Sequence, residues 1–488
     1  MSRIAASRTL KRLISMSPCW AMPSTALKAT RPKTRLFATH SKRGKRAVTL
    51  LPSYLSDARS VVQFSPSTPD GALQLGVAEN QMLEDLLVPA LNKFGNNTFT
   101  ADCIYYQPTH GRPSLREGFC GYLERVLNLS KPLDTEGLVM GTGCNAVLEN
   151  LCITLAEPGE GVLIPTPYYA AFEFDLVARA GLSILPVNTF EHSGATIPSV
   201  DSDETVPIEA YYPTKAGLTA ALQAAKLEGE SPRILLISHP NNPLGISYPP
   251  HVVKDCIDWC RENHVHLVSD EIYAGSVYQE DADFTSALQL AGVGELGPYI
   301  HFVYALSKDF ALSGLRVGAV YSENEDIRLP LQKLNDMCQI SSQTQCLVEN
   351  MVKATGDDSD FWTTDFLDQN HARIRARCNA LEAVAEEFNI PHLKANSGLF
   401  CWMDFSRYLS ELDPSQVTDQ GEELLESMQK RERALYLELM NDFGLLFTPG
   451  LSMRNERPGF FRFVFTAASE EEFQLSLERL RKFAEAKK

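Results

Sequence analysis

Between residues 138 and 321, short apolar runs alternate with stretches of helical periodicity. The runs fall at 138–140, 161–165, 183–187, 234–238, 266–269, 301–306 and 317–321. Their apolar residues are consecutive and do not alternate with polar ones, which marks strands buried on both faces and predicts a mainly parallel sheet covered by helices. The expected fold is therefore α/β. A large domain over residues 96–330 carries a seven-stranded sheet. Beyond about residue 331 the periodicity turns helical, with a long helix expected over 368–388 that carries Ile374, Leu381, Val384 and Ala385 on one side. Strands are expected again at 398–405 and 460–465, so residues 331–488 read as a smaller α+β domain. Residues 48–95 are expected to join it or to reach across a dimer. The stretch 191–213 is polar and acidic with three prolines, and reads as an exposed excursion.

Composition narrows this picture. The chain has 488 residues, 44% of them hydrophobic, enough for more than one domain. A net charge of −16 argues against a nucleic-acid partner held by phosphate neutralisation, and no apolar run is long enough to predict a membrane span. The charge is uneven. Twelve Lys or Arg stand in the first 50 residues, and no acidic residue precedes Asp57. Residues 2–16 can form an amphipathic helix with Leu10, Leu13 and Ile14 on one face and Arg8, Lys11 and Arg12 on the other. Arg35-Leu36-Phe37-Ala38-Thr39 resembles a mitochondrial processing site. Residues 1–47 are thus expected to be a transit peptide or a disordered basic arm. The mitochondrial matrix is the first expectation for location; plastid and cytoplasm are the alternatives. The eleven cysteines include no C-x-x-C pair, so a reducing compartment without a disulfide framework fits. Cys256 and Cys260 fall beside Val252 and Val253 on one stripe of a helix expected over 252–262. A buried face suits that spacing better than a metal site.

In sheets of this kind ligands bind beyond the carboxyl ends of the strands. Five segments with chemistry follow predicted strands: Gly141-Thr142-Gly143-Cys144-Asn145, Pro165-Thr166-Pro167-Tyr168-Tyr169, Asn242, Asp270, and Lys308 in Ser307-Lys308-Asp309-Phe310. Arg316 stands eight positions after Lys308, and Tyr273 three after Asp270. These residue types match the handles of pyridoxal 5'-phosphate. Its aldehyde needs an amine, which Lys308 supplies as a Schiff base. Its ring nitrogen needs a buried carboxylate, for which Asp270 is the candidate. Its ring hydroxyl wants donors, and Asn242 and Tyr273 suit. Its phosphate needs a cation and free backbone N–H groups, from Arg316 and a helix start at Gly143, Cys144 and Asn145.

At these residues the chain resembles fold-type I pyridoxal-phosphate enzymes of the class I/II aminotransferase superfamily. Within it the chain is most similar to the 1-aminocyclopropane-1-carboxylate (ACC) synthase group. The matching motifs include Leu75-Gly76-Val77-Ala78-Glu79-Asn80-Gln81, Ile164-Pro165-Thr166-Pro167-Tyr168-Tyr169, Asn242-Pro243-Leu244-Gly245, Gly398-Leu399-Phe400-Cys401-Trp402 and Pro458-Gly459-Phe460-Phe461-Arg462. Glu323-Asn324-Glu325-Asp326 and Asn370-His371-Ala372-Arg373 draw it toward the animal-type ACC synthase-like proteins. The resemblance implies an aspartate aminotransferase-like fold and a homodimer with sites between subunits. It implies that Tyr168 stacks on the cofactor ring, that Ser307 joins the cofactor contacts, and that Arg462 clamps the substrate carboxylate. Glu79 is then either a neighbour of the substrate amine or a structural hydrogen-bond partner. The sequence departs from the family at three places. Thr109 replaces the tyrosine that reaches the neighbouring subunit's cofactor, Ala305 replaces a serine, and Cys144-Asn145 replaces a small residue and a hydroxyl.

The expected substrate is a small-molecule α-amino acid. No second arginine is assignable to a side-chain carboxylate, so a dicarboxylate is not indicated. Three functions stay open: an aminotransferase or related lyase, a true ACC synthase using S-adenosylmethionine, and a catalytically silent binding or regulatory protein on the same fold.

Overall fold

A computed structural model describes residues 41–50, 52–199, 204–354, 361–410 and 421–488. The basic helix expected over 2–16 and the processing site at 35–39 lie outside the described residues. Arg43–Lys488 form one body.

The strands are β1 (Leu73–Gln74), β2 (Leu138–Gly141), β3 (Gly161–Pro165), β4 (Ser183–Val187), β5 (Pro232–Ser238), β6 (His266–Asp270), β7 (Ile300–Ala305), β8 (Gly318–Ser322), β9 (Phe400–Asp404), β10 (Leu445–Leu446), β11 (Thr448–Pro449) and β12 (Phe460–Val464). Seven of them form one sheet in the order β2-β8-β7-β6-β5-β3-β4. Pairing is parallel from β7 to β4, and only β8 runs antiparallel to its neighbours. The apolar runs become these strands because both faces are covered. Leu235 and Leu267 pack in one core, and their neighbours Ile234, Leu236 and Val268 pack in another on the opposite face. Because β2 and β7 flank β8 antiparallel to it, the carboxyl ends of β2 through β7 meet the amino end of β8 at one edge.

A second core gathers the C-terminal elements. β9 pairs with β12, and β12 with β11, all antiparallel. The helix Phe366–Glu387 buries Ile374, Leu381, Val384 and Ala385 against them, the face expected from sequence. The N-terminal segment divides between the cores. β1 pairs with β10, and Tyr54, Leu73 and Leu75 join the second core, whereas Leu83, Leu87 and Ala90 join the first. Packing also shifts the expected boundary at residue 331. Leu347, Val348, Met351, Trp362 and Phe366 pack with the large sheet's core, because the helix Ser342–Val352 lies against the helix Pro113–Val126.

The excursion at 191–213 is corrected in one respect. Val206, Ala210 and Tyr211 are buried, in a small core with Trp402, Met453 and Phe460. Its acidic, proline-rich composition masks these few apolar anchors. Cys256 and Cys260 lie buried in the helix Pro250–Asn263, as the apolar stripe predicts. Among the described residues no helix is long and apolar enough to cross a membrane.

Candidate functional site

The carboxyl edge of the large sheet opens on a cavity of about 210 Å³. Cys144, Asn145, Asn242, Asp270, Tyr273, Ser307, Lys308, Arg316 and Arg462 all line it. Their positions follow from strand ends. Asp270 is the last residue of β6, and Lys308 sits in the helical turn Leu306–Asp309 directly after β7. Arg316 precedes β8 in a left-handed backbone conformation, φ 54°.

Burial sets the electrostatics. Lys308 is stripped of water, and Arg462 adds repulsion, so its amine is lowered to about 8. Its Nζ donates to the Ala78 carbonyl. Burial raises the Asp270 carboxyl to about 7. That carboxylate accepts from the Ile272 N–H at 3.3 Å and from the Cys144 thiol at 3.8 Å. No ion pair involves Asp270 among the described residues, so a buried acceptor stands without a cation in contact. A protonated ring nitrogen is the kind of partner it lacks.

At one end of the cavity Arg316 meets the start of the helix Cys144–Leu155. Gly143 has φ 87°, and a Cβ there would fall 2.3 Å from Arg316 Nη2. The absent side chain leaves a cradle of backbone N–H groups and a guanidinium, which suits a phosphate. Asn145 points its amide differently: it donates to Asp175 at 2.7 Å. At the other end Arg462 is 2% exposed. It donates to Asn242 Oδ1 at 2.6 Å, to the Gly76 carbonyl at 2.7 Å and to Thr448 Oγ1 at 3.2 Å. Its Nε has no hydrogen-bond partner although buried. A buried N–H left unpaired is costly, and an arriving carboxylate would pair it. Glu79 accepts from Ser313 at 3.0 Å, and its charge favours the protonated form of Lys308.

Three predicted residues do not line the cavity: Gly143 and Glu79, which stand beside lining residues, and Tyr168. Tyr168 does not face the cavity. It is buried, its backbone N–H donates to the Met453 carbonyl at 2.9 Å, and its hydroxyl donates to Glu173 at 3.1 Å. Tyr169 lines the cavity instead. The two adjacent tyrosines leave the turn after β3 in opposite directions, and only the tertiary path tells which goes where. Sequence reasoning missed two further residues at the site. Tyr54 lines the cavity from the N-terminal segment, with no motif around it, and lies beside Thr448 and Arg462. Asp309 is buried behind Lys308, where it accepts from the Gly275 N–H at 2.6 Å and from the Tyr304 hydroxyl at 2.9 Å. It ties the lysine's turn to the loop that follows Tyr273.

The departures are also visible. Thr109 donates to the Gln332 carbonyl of its own chain at 2.8 Å. Ala305 is fully buried at the end of β7.

The model of the class I and II aminotransferases matches residues 71–480. The chain belongs to this family. It is 30% identical over 426 residues to 1-aminocyclopropane-1-carboxylate synthase 11 of Arabidopsis thaliana, covering 85% of this chain and 84% of that one. It is 32% identical to synthase 5 of Oryza sativa subsp. japonica, covering 85% and 74%. Among solved structures, a single-mutant aspartate aminotransferase of Thermus thermophilus superposes with a TM-score of 0.66 at 18% identity, covering 91% of this chain and 100% of that one. The Rhizobium meliloti aspartate aminotransferase gives 0.65 at 18% identity, covering 91% and 95%. This family member thus has the aspartate aminotransferase-like fold, and it is an enzyme of the pyridoxal-phosphate-dependent, ACC synthase-like kind.

Proposed function

We propose that the cavity holds pyridoxal 5'-phosphate through Lys308, Asp270 and Arg316 and that the enzyme removes the α-proton of an amino acid, leading to transamination or a related elimination. The observation that carries this reading is the pairing, in one cavity, of an amine lowered to about 8 with a carboxylic acid raised to about 7. Neither group has a local sequence reason to be buried there; both sit at strand ends.

When bound, the cofactor supplies an aldehyde that captures amines and a ring that accepts charge from the α-carbon. Lys308 is the residue that would hold that aldehyde, through its Nζ. When its Nζ is free, the proton affinity lowered by burial leaves a share of free base near neutral pH, able to take the α-proton. Asp270 would hold the ring nitrogen in its protonated form, and burial would strengthen that hydrogen bond. Asn242 commits its carbonyl to Arg462, so its amide N–H groups are the donors left for the ring oxygen, beside the Tyr273 hydroxyl. Gly143, Cys144, Asn145 and Ser307 surround the phosphate end with Arg316. Arg462 takes the substrate carboxylate. Tyr169 is the aromatic ring placed to cover the cofactor.

ACC formation from S-adenosylmethionine is the second reading, favoured by the named activity of the relatives at 30% identity and above. Thr109, Ala305 and Asn145 weigh against it. A single experiment separates the two. Purified enzyme with the cofactor bound is mixed with single amino acids under a spectrophotometer. Transamination predicts loss of the visible band and its return with a 2-oxo acid. ACC released from S-adenosylmethionine would establish the synthase reading instead, and a protein that stays colourless with added cofactor would overturn both.

A homodimer is part of this reading. Phe99, Ile104, Tyr105 and Tyr106 are 81%, 75%, 67% and 101% exposed on one short segment, more apolar surface than a free loop keeps. A mitochondrial location rests on the acid-free basic N-terminus, and import with cleavage near residue 39 by isolated mitochondria tests it.

A further inference from the structure

The thiols of Cys103 and Cys346 lie 3.0 Å apart, Sγ to Sγ, although 243 positions separate them in the chain. Both are free cysteines, and neither lines the cavity. Cys103 belongs to the short turn Ala101–Ile104, and Cys346 to the second turn of the helix Ser342–Val352. We propose that these two cysteines form a reversible dithiol–disulfide site, closed by an oxidant of the hydroperoxide class, that clips the segment before Thr109 to this helix.

Three features of the structure support it. The first is fixed approach. Arg112 bridges both sides, donating to Asp102 at 2.6 Å and to Glu349 at 3.3 Å, while its own N–H donates to Gln345 at 2.8 Å. Gln343 donates to Thr98 at 3.2 Å. The two backbones are thus held together independently of the thiols. The sulfurs need approach by only about 1 Å more to reach bonding distance, within the range of side-chain rotation.

The second is an asymmetry between the thiols. Hydrogen bonds from Cys346 and Thr100 hold the Cys103 thiol below the usual thiol range, whereas burial pushes Cys346 up to about 12. Cys103 is also half-exposed and Cys346 buried. Cys103 is therefore the attacking thiolate, and Cys346 the resolving partner. The Cys103 sulfur attacks one peroxide oxygen, the O–O bond breaks, and hydroxide leaves, giving a sulfenic acid. The Cys346 sulfur then attacks the Cys103 sulfur, the S–O bond breaks, and water leaves with the Cys346 proton. Two thiols and one hydrogen peroxide become one disulfide and two waters.

The third is location. Phe99, Ile104, Tyr105 and Tyr106 flank Cys103, so the clip fixes the segment that displays the exposed apolar patch. Four of the other described cysteines give an internal contrast: Cys152, Cys256, Cys260 and Cys401 are buried, with thiols raised by burial.

The test uses the full chain with cofactor. Protein is treated with hydrogen peroxide, alkylated with N-ethylmaleimide, digested without reductant and read by mass spectrometry. The expected product joins the Cys103 peptide to the Cys346 peptide, lighter by two hydrogens, and dithiothreitol abolishes it. In Cys346→Ser, Cys103 should stop at the sulfenic acid and be captured by dimedone; in Cys103→Ser, Cys346 should remain a thiol. The visible band of bound cofactor verifies that each variant is folded. Oxidation of Cys103 to a sulfinic acid while Cys346 stays free would overturn the proposal. So would alkylation of both thiols after peroxide treatment, or linkage of either to another cysteine.

Discussion

Arg462 Nη1 donates to Asn242 Oδ1 at 2.6 Å across 220 positions of chain. The bond joins a strand of the second core to the loop after β5 in the large sheet, so the residues proposed to take the substrate carboxylate and the cofactor's ring oxygen are positioned by one contact. It also holds the guanidinium with Nε unpaired, which leaves that N–H for a ligand.

Arg462→Lys keeps the charge but loses the planar fork. It is expected to raise KM for the amino acid and to lower kcat/KM about tenfold to a hundredfold, the worth of one charge-assisted hydrogen bond. Cofactor retention should change little. Steady-state kinetics beside the visible spectrum of the variant read the two effects apart. Asn242→Ala should move both, because it removes the guanidinium's partner and a ring-oxygen donor together.

The Lys308 amine is lowered to about 8 from 10.5 by burial first and Arg462 second. In cofactor-free protein it should therefore be acetylated by a limiting anhydride with a midpoint near pH 8, while exposed lysines follow their ordinary, higher value. Competitive labelling with mass spectrometry measures this. A Lys308 midpoint above pH 10 would contradict the buried, repelled amine. The same shift has a stability sign. Between pH 8 and 10.5 the unfolded chain holds the proton that the folded chain has lost, so this residue's contribution to stability rises with pH across that window. Lys308→Ala should abolish turnover, a loss of at least about a hundredfold.

Gly143→Ala should empty the phosphate cradle. The backbone there has φ 87°, and the new Cβ would meet the Arg316 guanidinium at 2.3 Å. Arg316 must swing away, and the backbone strain adds about 1–3 kcal/mol, since φ 87° with ψ 167° is a region only glycine enters freely. Cofactor affinity is expected to fall about tenfold or more, as one charge-assisted contact is lost. Equilibrium dialysis of pyridoxal phosphate against the variant checks it, with Gly194→Ala as a control: its φ is also positive, 73°, but nothing stands within 4 Å.

Acid should weaken the fold through a buried histidine pair. His266 Nδ1 lies 3.0 Å from His301 Nε2, and His301 Nδ1 lies 2.9 Å from Ser322 Oγ. Burial lowers His266 to about 4, with Arg233 adding repulsion, and lowers His301 to about 3. Unfolded histidines titrate near about 6.5. Below that pH the unfolded chain takes up protons that the folded chain refuses, so the pair's stabilisation is full above about 6.5 and is lost as pH falls toward about 4. The melting temperature should drop over this interval, and His266→Gln with His301→Gln should flatten that drop relative to the native chain. An unchanged slope would show the pair is not what titrates. Asp270, Glu271 and Asp309 are buried carboxyls raised to about 7 and act with the opposite sign, so the comparison must be between chains and not between pH values alone.

The strands were legible because each is a continuous apolar run whose burial on both faces needs no distant information. Predicted and observed bounds agree to within one or two residues at every strand of the large sheet; β5, for example, begins at Pro232 where the apolar pattern begins at Ile234. The site followed from the same signal, since Asp270 ends its strand and Asn242 and Lys308 stand just past theirs. Tyr168 and Tyr169 were not separable. Both are aromatic, both follow the same turn, and the choice depends on which side of the chain the helix Cys144–Leu155 and Arg462 occupy. Residues 206–211 were misjudged because three buried apolar anchors were diluted by acidic neighbours.

The order of the chemistry along the chain, a carboxylate, an amine and a guanidinium at the ends of apolar segments and a second guanidinium within one, was written in the amino-acid sequence, because backbone periodicity is a local property. Tertiary structure alone brought Tyr54 over the cavity, turned Tyr169 and not Tyr168 toward it, and set Cys103 against Cys346. Those outcomes depend on contacts between residues far apart in the chain, where packing and burial decide and no short pattern carries the information.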